Sequence, residues 1–414
     1  MSGRRTIASP RAILALLTGL NFLNYLDRIL VAAVLPKMSA ELGLSDFQGG
    51  LTATVFLLGY FVTAPVFSAL AARYSRRSLI AFGVATWSVA TALSGTASNL
   101  GMLLAARAIV GIGEASYATL SPTIIDDITP PEKKGKALAI FYLATPLGSA
   151  LGMVLGGQIA EHWGWRTAFF IGGGPGLLLA ITCLWIAEPA RRGAVEHTGI
   201  VASAKALLRI PQYRRAVAGY IAHTAAVGAF AHWGPTFLVR RFGLKLGAAG
   251  TYFGAVTVVA GAIATFVGGR WSDAALARHP GGPAHDDAAT RRGTNALLKI
   301  CALGVLLAAP FTAAAFAAPA AWMFFAMAFV AELGIFLSTS PVNAALLRAV
   351  PPELRAASMA FGIFAIHIFG DLGSPPAVGL LLDHLHIVAA MMALPIVIAV
   401  AAFLWWPRAR EAQD

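Results

Sequence analysis

Two acids and two bases stand in stretches otherwise suited to a membrane interior. Asp27 and Arg28 are adjacent in Asn21-Phe22-Leu23-Asn24-Tyr25-Leu26-Asp27-Arg28-Ile29-Leu30-Val31, within an apolar run over 12–35. Arg107 and Glu114 lie in another such run, over 101–128. An ionised group at that depth costs roughly 2.5–3.5 kcal/mol on insertion scales, so such residues face a polar cavity or a partner. Their chemistry is of two kinds. A guanidinium binds phosphate or carboxylate through two parallel hydrogen bonds. A carboxyl group set among apolar walls and other charges can exchange a proton reversibly near neutral pH. Asp27 and Glu114 are therefore the candidate proton carriers.

Helical spacing determines how these groups can meet. Asn21, Asn24 and Arg28 recur at i, i+3 and i+7 and share one face, while Asp27 lies about 100° round from Arg28. Arg107, Gly111, Glu114, Ala118 and Ser121 form one face of a second helix. Arg107 and Glu114 are about 10.5 Å apart along the axis, too far to neutralise each other, so Asp27 and Arg28 are their expected partners. A purely structural ion-pair lattice is the alternative reading of the same group. Further on, Glu332, Phe336, Thr339 and Asn343 share a face, and His367 precedes Asp371 by one helical turn before Gly373-Ser374-Pro375-Pro376. The His–Asp spacing suits a proton relay or a satisfied core pair.

The elements that position these residues are membrane helices. The chain has 414 residues, 58% of them hydrophobic and 12% charged, and a mean hydropathy of +0.72. That is too apolar for a soluble domain. The net charge of +12 sits in short basic runs between apolar segments, as cytoplasmic loops require, so no nucleic-acid partner is expected. The basic start Met1-Ser2-Gly3-Arg4-Arg5 leads directly into a full-length span, so no cleavable leader is expected. Cys183 and Cys301 both fall inside apolar runs and form neither a disulfide framework nor a metal set. No His-Glu-x-x-His, Gly-x-Ser-x-Gly or Walker motif occurs, so no metal, cofactor or enzymatic activity is expected. Energy for any pumping would come from gradients.

Apolar runs fall at 12–35, 47–72, 78–98, 101–128, 135–160, 166–188, 214–238, 248–270, 295–318, 320–347, 356–382 and 385–406. Each is near the ~20 residues a spanning helix needs, which predicts twelve spans. Most Lys and Arg fall on one side if both termini are cytoplasmic; the cluster Arg240, Arg241 and Lys245 is the local exception. The longest cytoplasmic connections run from Pro189 to Arg215 and from Ser272 to Thr294, the latter with Pro280-Gly281-Gly282-Pro283 and Asp286-Asp287.

An internal echo divides the chain. Glu114, Ser121-Pro122 and Pro130-Pro131-Glu132 recur as Glu332, Ser340-Pro341 and Pro351-Pro352-Glu353, at offsets of 218, 219 and 221. Parallel six-span repeats are the plan of major facilitator transporters, with substrate bound between pseudo-two-fold halves near the midplane. The expected architecture is all-α: a six-helix half over 1–188, a cytoplasmic linker over 189–213 and a second half over 214–414. Gly148, Gly152 and Gly156 repeat every fourth residue and predict close helix approach in the fifth span.

Four motifs carry a family resemblance. They are Asn24-Tyr25-Leu26-Asp27-Arg28, Arg107-x-x-x-Gly111-x-Gly113-Glu114-Ala115-Ser116-Tyr117, Ser121-Pro122-Thr123 and His367-x-x-Gly370-Asp371-x-Gly373-Ser374-Pro375. Together they resemble the signatures of the spinster family of major facilitator transporters. The resemblance implies proton-coupled movement of a lysolipid-type amphipathic anion, lysophospholipid or sphingosine-1-phosphate-like, by alternating access across a bacterial inner membrane, by a monomer among membrane lipids. It implies that Arg28, Asn24, Tyr117, Glu332, Asn343, His367 and Asp371 bind substrate, that Asp27 and Glu114 titrate, and that Arg107, Gly111, Arg73 and Asp273 serve gating or structure. A carrier of small organic anions, sugars or drugs, and a lipid receptor that does not transport, are the competing readings. The sequence departs from the superfamily in the loop after the second span. Its usual Gly-x-x-x-Asp-Arg-x-x-Arg reads Ser68-Ala69-Leu70-Ala71-Ala72-Arg73-Tyr74-Ser75-Arg76, without the glycine and the aspartate of the cytoplasmic latch.

Overall fold

A computed structural model describes residues 7–130, 133–188, 200–279 and 288–407. The first half starts with α1 (Pro10–Leu42), α2 (Asp46–Leu70), α3 (Arg76–Ser94), α4 (Leu100–Ile128), α5 (Lys134–Trp163) and α6 (Trp165–Cys183). A short α7 (Ile200–Arg209) leads into α8 (Pro211–Phe242), α9 (Leu246–Arg278) and α10 (Ala288–Ala317). The last spans are interrupted. The tenth is α11 (Ala321–Leu337) with α12 (Thr339–Arg348); the eleventh is α13 (Arg355–Ile366), a π-turn at His367–Asp371 and α14 (Ser374–His384); the twelfth is α15 (Ile387–Met391) with α16 (Ala393–Trp405).

Among the described residues ten helical segments are long and apolar enough to cross a membrane. The more polar α3 and α8 occupy the places of the third and seventh predicted spans. The predicted flexible stretch at 280–283, Asp286-Asp287, Pro131-Glu132 of the echo, 189–199 of the linker and both extreme termini lie outside the described residues.

Local chemistry sets the helix ends. Pro10 is pre-set for the first turn of α1, and Gly43 ends it at φ 63°, a conformation that favours glycine. Ser45 and Gln48 close α2 with a reciprocal capping box, and the Asn99 side chain accepts the Met102 N–H at the start of α4.

The chain packs into two compact units, Met1–Ala194 with His232–Gly254, and Val195–Ala231 with Ala255–Asp414. In the first unit α1 lies directly on α5. A Cβ on Gly148 or Gly152 would run into the Phe22 or Leu26 carbonyl, so the predicted small face is used for backbone approach. Gly111 does the same for α4 against α2 at Phe56. The α8–α9 corner belongs to this unit, where Arg240 grips both carboxylate oxygens of Asp46 at 2.6 and 2.7 Å. That contact gives the exceptional basic cluster an acidic partner. The second unit closes over a core of α10, α12 and α16 side chains, including Cys301, Val305, Leu346 and Trp405.

Candidate functional site

In the first unit α1 and α4 bring the predicted charges together, but the pairing is selective. Arg28 Nε donates to Glu114 Oε2 at 2.7 Å; Glu114 is fully buried while Arg28 keeps 19% of its side chain exposed. Three rings enclose the guanidinium, with centroids 5.0 Å (Tyr25), 5.1 Å (Phe56) and 5.1 Å (Tyr60) away. Rings at this distance favour a desolvated cation and leave its planar fork the shape an oxyanion fits.

Asp27 turns elsewhere. Its Oδ2 accepts the Thr91 hydroxyl of α3 at 2.6 Å, and its Oδ1 has no hydrogen-bond partner. Arg107 lies 4.9 Å above the Phe56 ring with Nε and Nη1 unpartnered, although it is almost wholly buried. Glu114 Oε1 and Asn24 Nδ2 are also without partners. The expected second ion pair, Asp27 with Arg107, is thus absent as a direct contact. Four charges stay within electrostatic reach of one another, but only one pair is closed.

The second unit holds the other candidates in separate places. Glu332 on α11 is buried, accepts the Thr257 hydroxyl of α9 at 3.0 Å and leaves Oε2 unpartnered. His367 Nδ1 lies 2.9 Å from an Asp371 carboxylate oxygen across the π-turn, where the Leu372 N–H bonds five residues back to the His367 carbonyl. Widened turns of this type are frequent at functional positions. Gly228 of α8 makes room for it, because a Cβ there would come within 2.6 Å of the Asp371 Cβ. Asn343 Nδ2 donates to the Thr339 carbonyl at 2.8 Å, within its own helix.

Comparison with known proteins agrees with these features. The sequence model of the Major Facilitator Superfamily matches residues 17–282. Protein spinster homolog 1 of Xenopus laevis is 32% identical over 398 residues, covering 90% of this chain and 73% of that protein. The chain belongs to the spinster family. A probable sphingolipid transporter, spinster homolog 3 of Arabidopsis thaliana, is 29% identical over 434 residues, covering 91% of this chain and 80% of that one. The crystal structure of a bacterial homolog to the human lysosomal transporter spinster, inward-facing and unoccupied, superposes with a TM-score of 0.83 at 22% identity over 96% of each chain. At that identity it shows a common fold.

Several residues of this spinster-family chain sit apart from the charge group. Tyr117 is wholly buried; its hydroxyl donates to the Leu17 carbonyl at 2.6 Å and its ring packs on Trp87 and Phe141. That places it in the packing core of the first unit and not beside Arg28. Arg73, in the turn after α2, and Asp273, within α9, are both exposed.

A charge cluster is built instead on Arg76, which bonds Asp127 at 2.6 Å, Glu188 at 3.1 Å and Thr123 at 3.1 Å. Glu188 also accepts the backbone N–H groups of Arg76 and Arg77, at 3.2 and 3.1 Å. It places an anion at the amino end of α3, the position left vacant by Ala72. Thr91, Thr257, Glu188 and the Tyr25, Phe56 and Tyr60 box were not legible in the motifs. The only advance sign was a polar residue or ring within a span, which many structural residues share.

Proposed function

We propose that this spinster-family chain moves a lysolipid-type amphipathic anion across the bacterial inner membrane by alternating access, coupled to protons. The observation that carries the reading is Arg28, reachable, enclosed by three rings and held through one edge by Glu114. A phosphate head group and the Glu114 carboxylate compete for the same guanidinium. Protonation of Glu114 removes its charge-assisted bond and frees Arg28 for the anion; loss of that proton restores the pair and expels the anion. Substrate and proton therefore share one switch, which is the minimum that coupling requires. Asp27, held by a single hydroxyl, is the second exchanging acid.

The fold supports transport over a lipid receptor that does not transport, because solved proteins of this fold are transporters. The resemblance of the Arabidopsis protein, named for sphingolipid transport, favours a lipid substrate over a small organic anion, sugar or drug. The test is uptake of lysophosphatidic acid into vesicles reconstituted with the protein, with and without an imposed pH gradient. Gradient-stimulated uptake that Arg28→Lys abolishes is the expected result. Equal uptake with and without protein defeats the reading.

A further inference from the structure

The two halves differ in how they balance membrane charge. The first carries Asp27 and Glu114 against Arg28 and Arg107. The second has no Lys or Arg in 216–239, 246–269, 300–347 or 356–407, yet holds Glu332 and Asp371 at membrane depth. Asp371 is answered by His367 at 2.9 Å. Glu332 is answered by nothing charged. It is 2% exposed, takes one hydrogen bond from Thr257 and leaves Oε2 without a partner.

The surrounding elements offer no substitute. Helix α8 contributes His223, whose Nε2 is engaged with the Ile335 carbonyl and Ser338 hydroxyl and whose Nδ1 has no partner among the described residues. Helix α10 contributes Cys301, whose thiol meets the Ser338 carbonyl. Helix α9 contributes only the Thr257 hydroxyl, and His367 is taken by Asp371. Glu332 is also the repeat mate of Glu114, 218 residues on, before the same Ser-Pro pair. A carboxyl thus recurs at the matching point of both repeats, bonded to an arginine in the first and to none in the second.

An isolated carboxylate in a dry interior is costly enough that it is normally neutralised. A bound proton does this where no resident cation exists, and it can leave when the span opens to water. We propose that Glu332 is a further proton-exchange site of this transporter, carried by the second half and independent of Asp27 and of the Arg28–Glu114 pair. The exchanged proton binds Oε2, the oxygen that Thr257 does not occupy; its removal leaves a carboxylate whose charge must be met by water when the span opens. The inference extends the proton coupling proposed for Glu114 and can be tested apart from it.

Infrared difference spectra of reconstituted protein between acid and alkaline buffer read the carboxylic-acid carbonyl band without any substrate. The expected result is loss of one band in Glu332→Gln that Glu114→Gln retains, and a shifted band in Thr257→Val, which keeps the acid but removes its donor. A spectrum unchanged in both Glu332→Gln and Thr257→Val overturns the proposal. So does depletion of the band by Na⁺ at fixed pH, which would make the site one for a metal cation. Vesicles supplied with lysophosphatidic acid as the probe separate the two readings. No uptake with the band lost as expected defeats the substrate assignment and leaves Glu332 a proton site; proton-driven uptake with an unchanged band does the reverse.

Discussion

Arg28 and Asp27 are neighbours in sequence, yet Arg28 bonds Glu114 on α4 at 2.7 Å while Asp27 bonds Thr91 on α3 at 2.6 Å. One turn of α1 therefore ties two other helices through opposite charges.

Glu114→Gln keeps the shape of the side chain and removes its titration. The protein is expected to fold normally, with the pH dependence of lysophosphatidic acid uptake flattened. Because the paired acid is silent at low pH in either form, the flattening should show as raised binding at alkaline pH. Uptake and binding profiles across pH check this.

Arg28→Lys keeps the charge and loses the planar fork. Affinity for a phosphate monoester should fall about tenfold or more, since a charge-assisted hydrogen bond contributes roughly 1.5–3 kcal/mol. Binding titrations with lysophosphatidic acid measure the drop; equal affinity would make Arg28 structural.

Thr91→Val removes the sole hydrogen-bond donor to Asp27 and leaves its second oxygen unpartnered as well. Stability should fall by about 1–3 kcal/mol, the usual cost of such an orphan. In Thr91→Val/Asp27→Asn the penalty should shrink, because no charge is then stranded. Thermal melts of the single and double variants report the difference.

Gly152→Leu forces a side chain into the α1 backbone at Leu26, where even a Cβ does not fit. Overpacking of this kind costs typically about 1–3 kcal/mol and here separates α1 from α5. Gly135 on the same helix meets nothing within 4 Å, so Gly135→Ala should be neutral or stabilising by about 0.5–1 kcal/mol. Melting temperatures moving oppositely confirm the contact.

Glu188→Gln should weaken the α3 amino end by about 0.3–1 kcal/mol and detach part of the Arg76 cluster. Ala72→Asp, which restores the superfamily residue, should then add little in the parent and more in Glu188→Gln. A double-mutant cycle by thermal unfolding reads this coupling, and strict additivity would mean the two positions do not share a role.

Composition and run length were sufficient for the class of this protein. About 20 apolar residues per segment satisfy a bilayer whatever surrounds them, and the repeated Glu and Ser-Pro pattern predicts a division into two halves. The Gly148, Gly152 and Gly156 face was also readable, because close helix approach needs only spacing along one helix. Which charge pairs with which was not. Helical spacing places Arg107 and Glu114 on one face but says nothing of the rotation of α1 and α3 against α4, and that rotation gave Arg28 to Glu114 and Asp27 to Thr91. Nor does a motif show that Glu188, some 110 residues from Arg76, reaches the α3 amino end, or that Tyr117 commits its hydroxyl to Leu17. Contacts of that kind depend on distances between helices, which packing sets and local sequence does not encode.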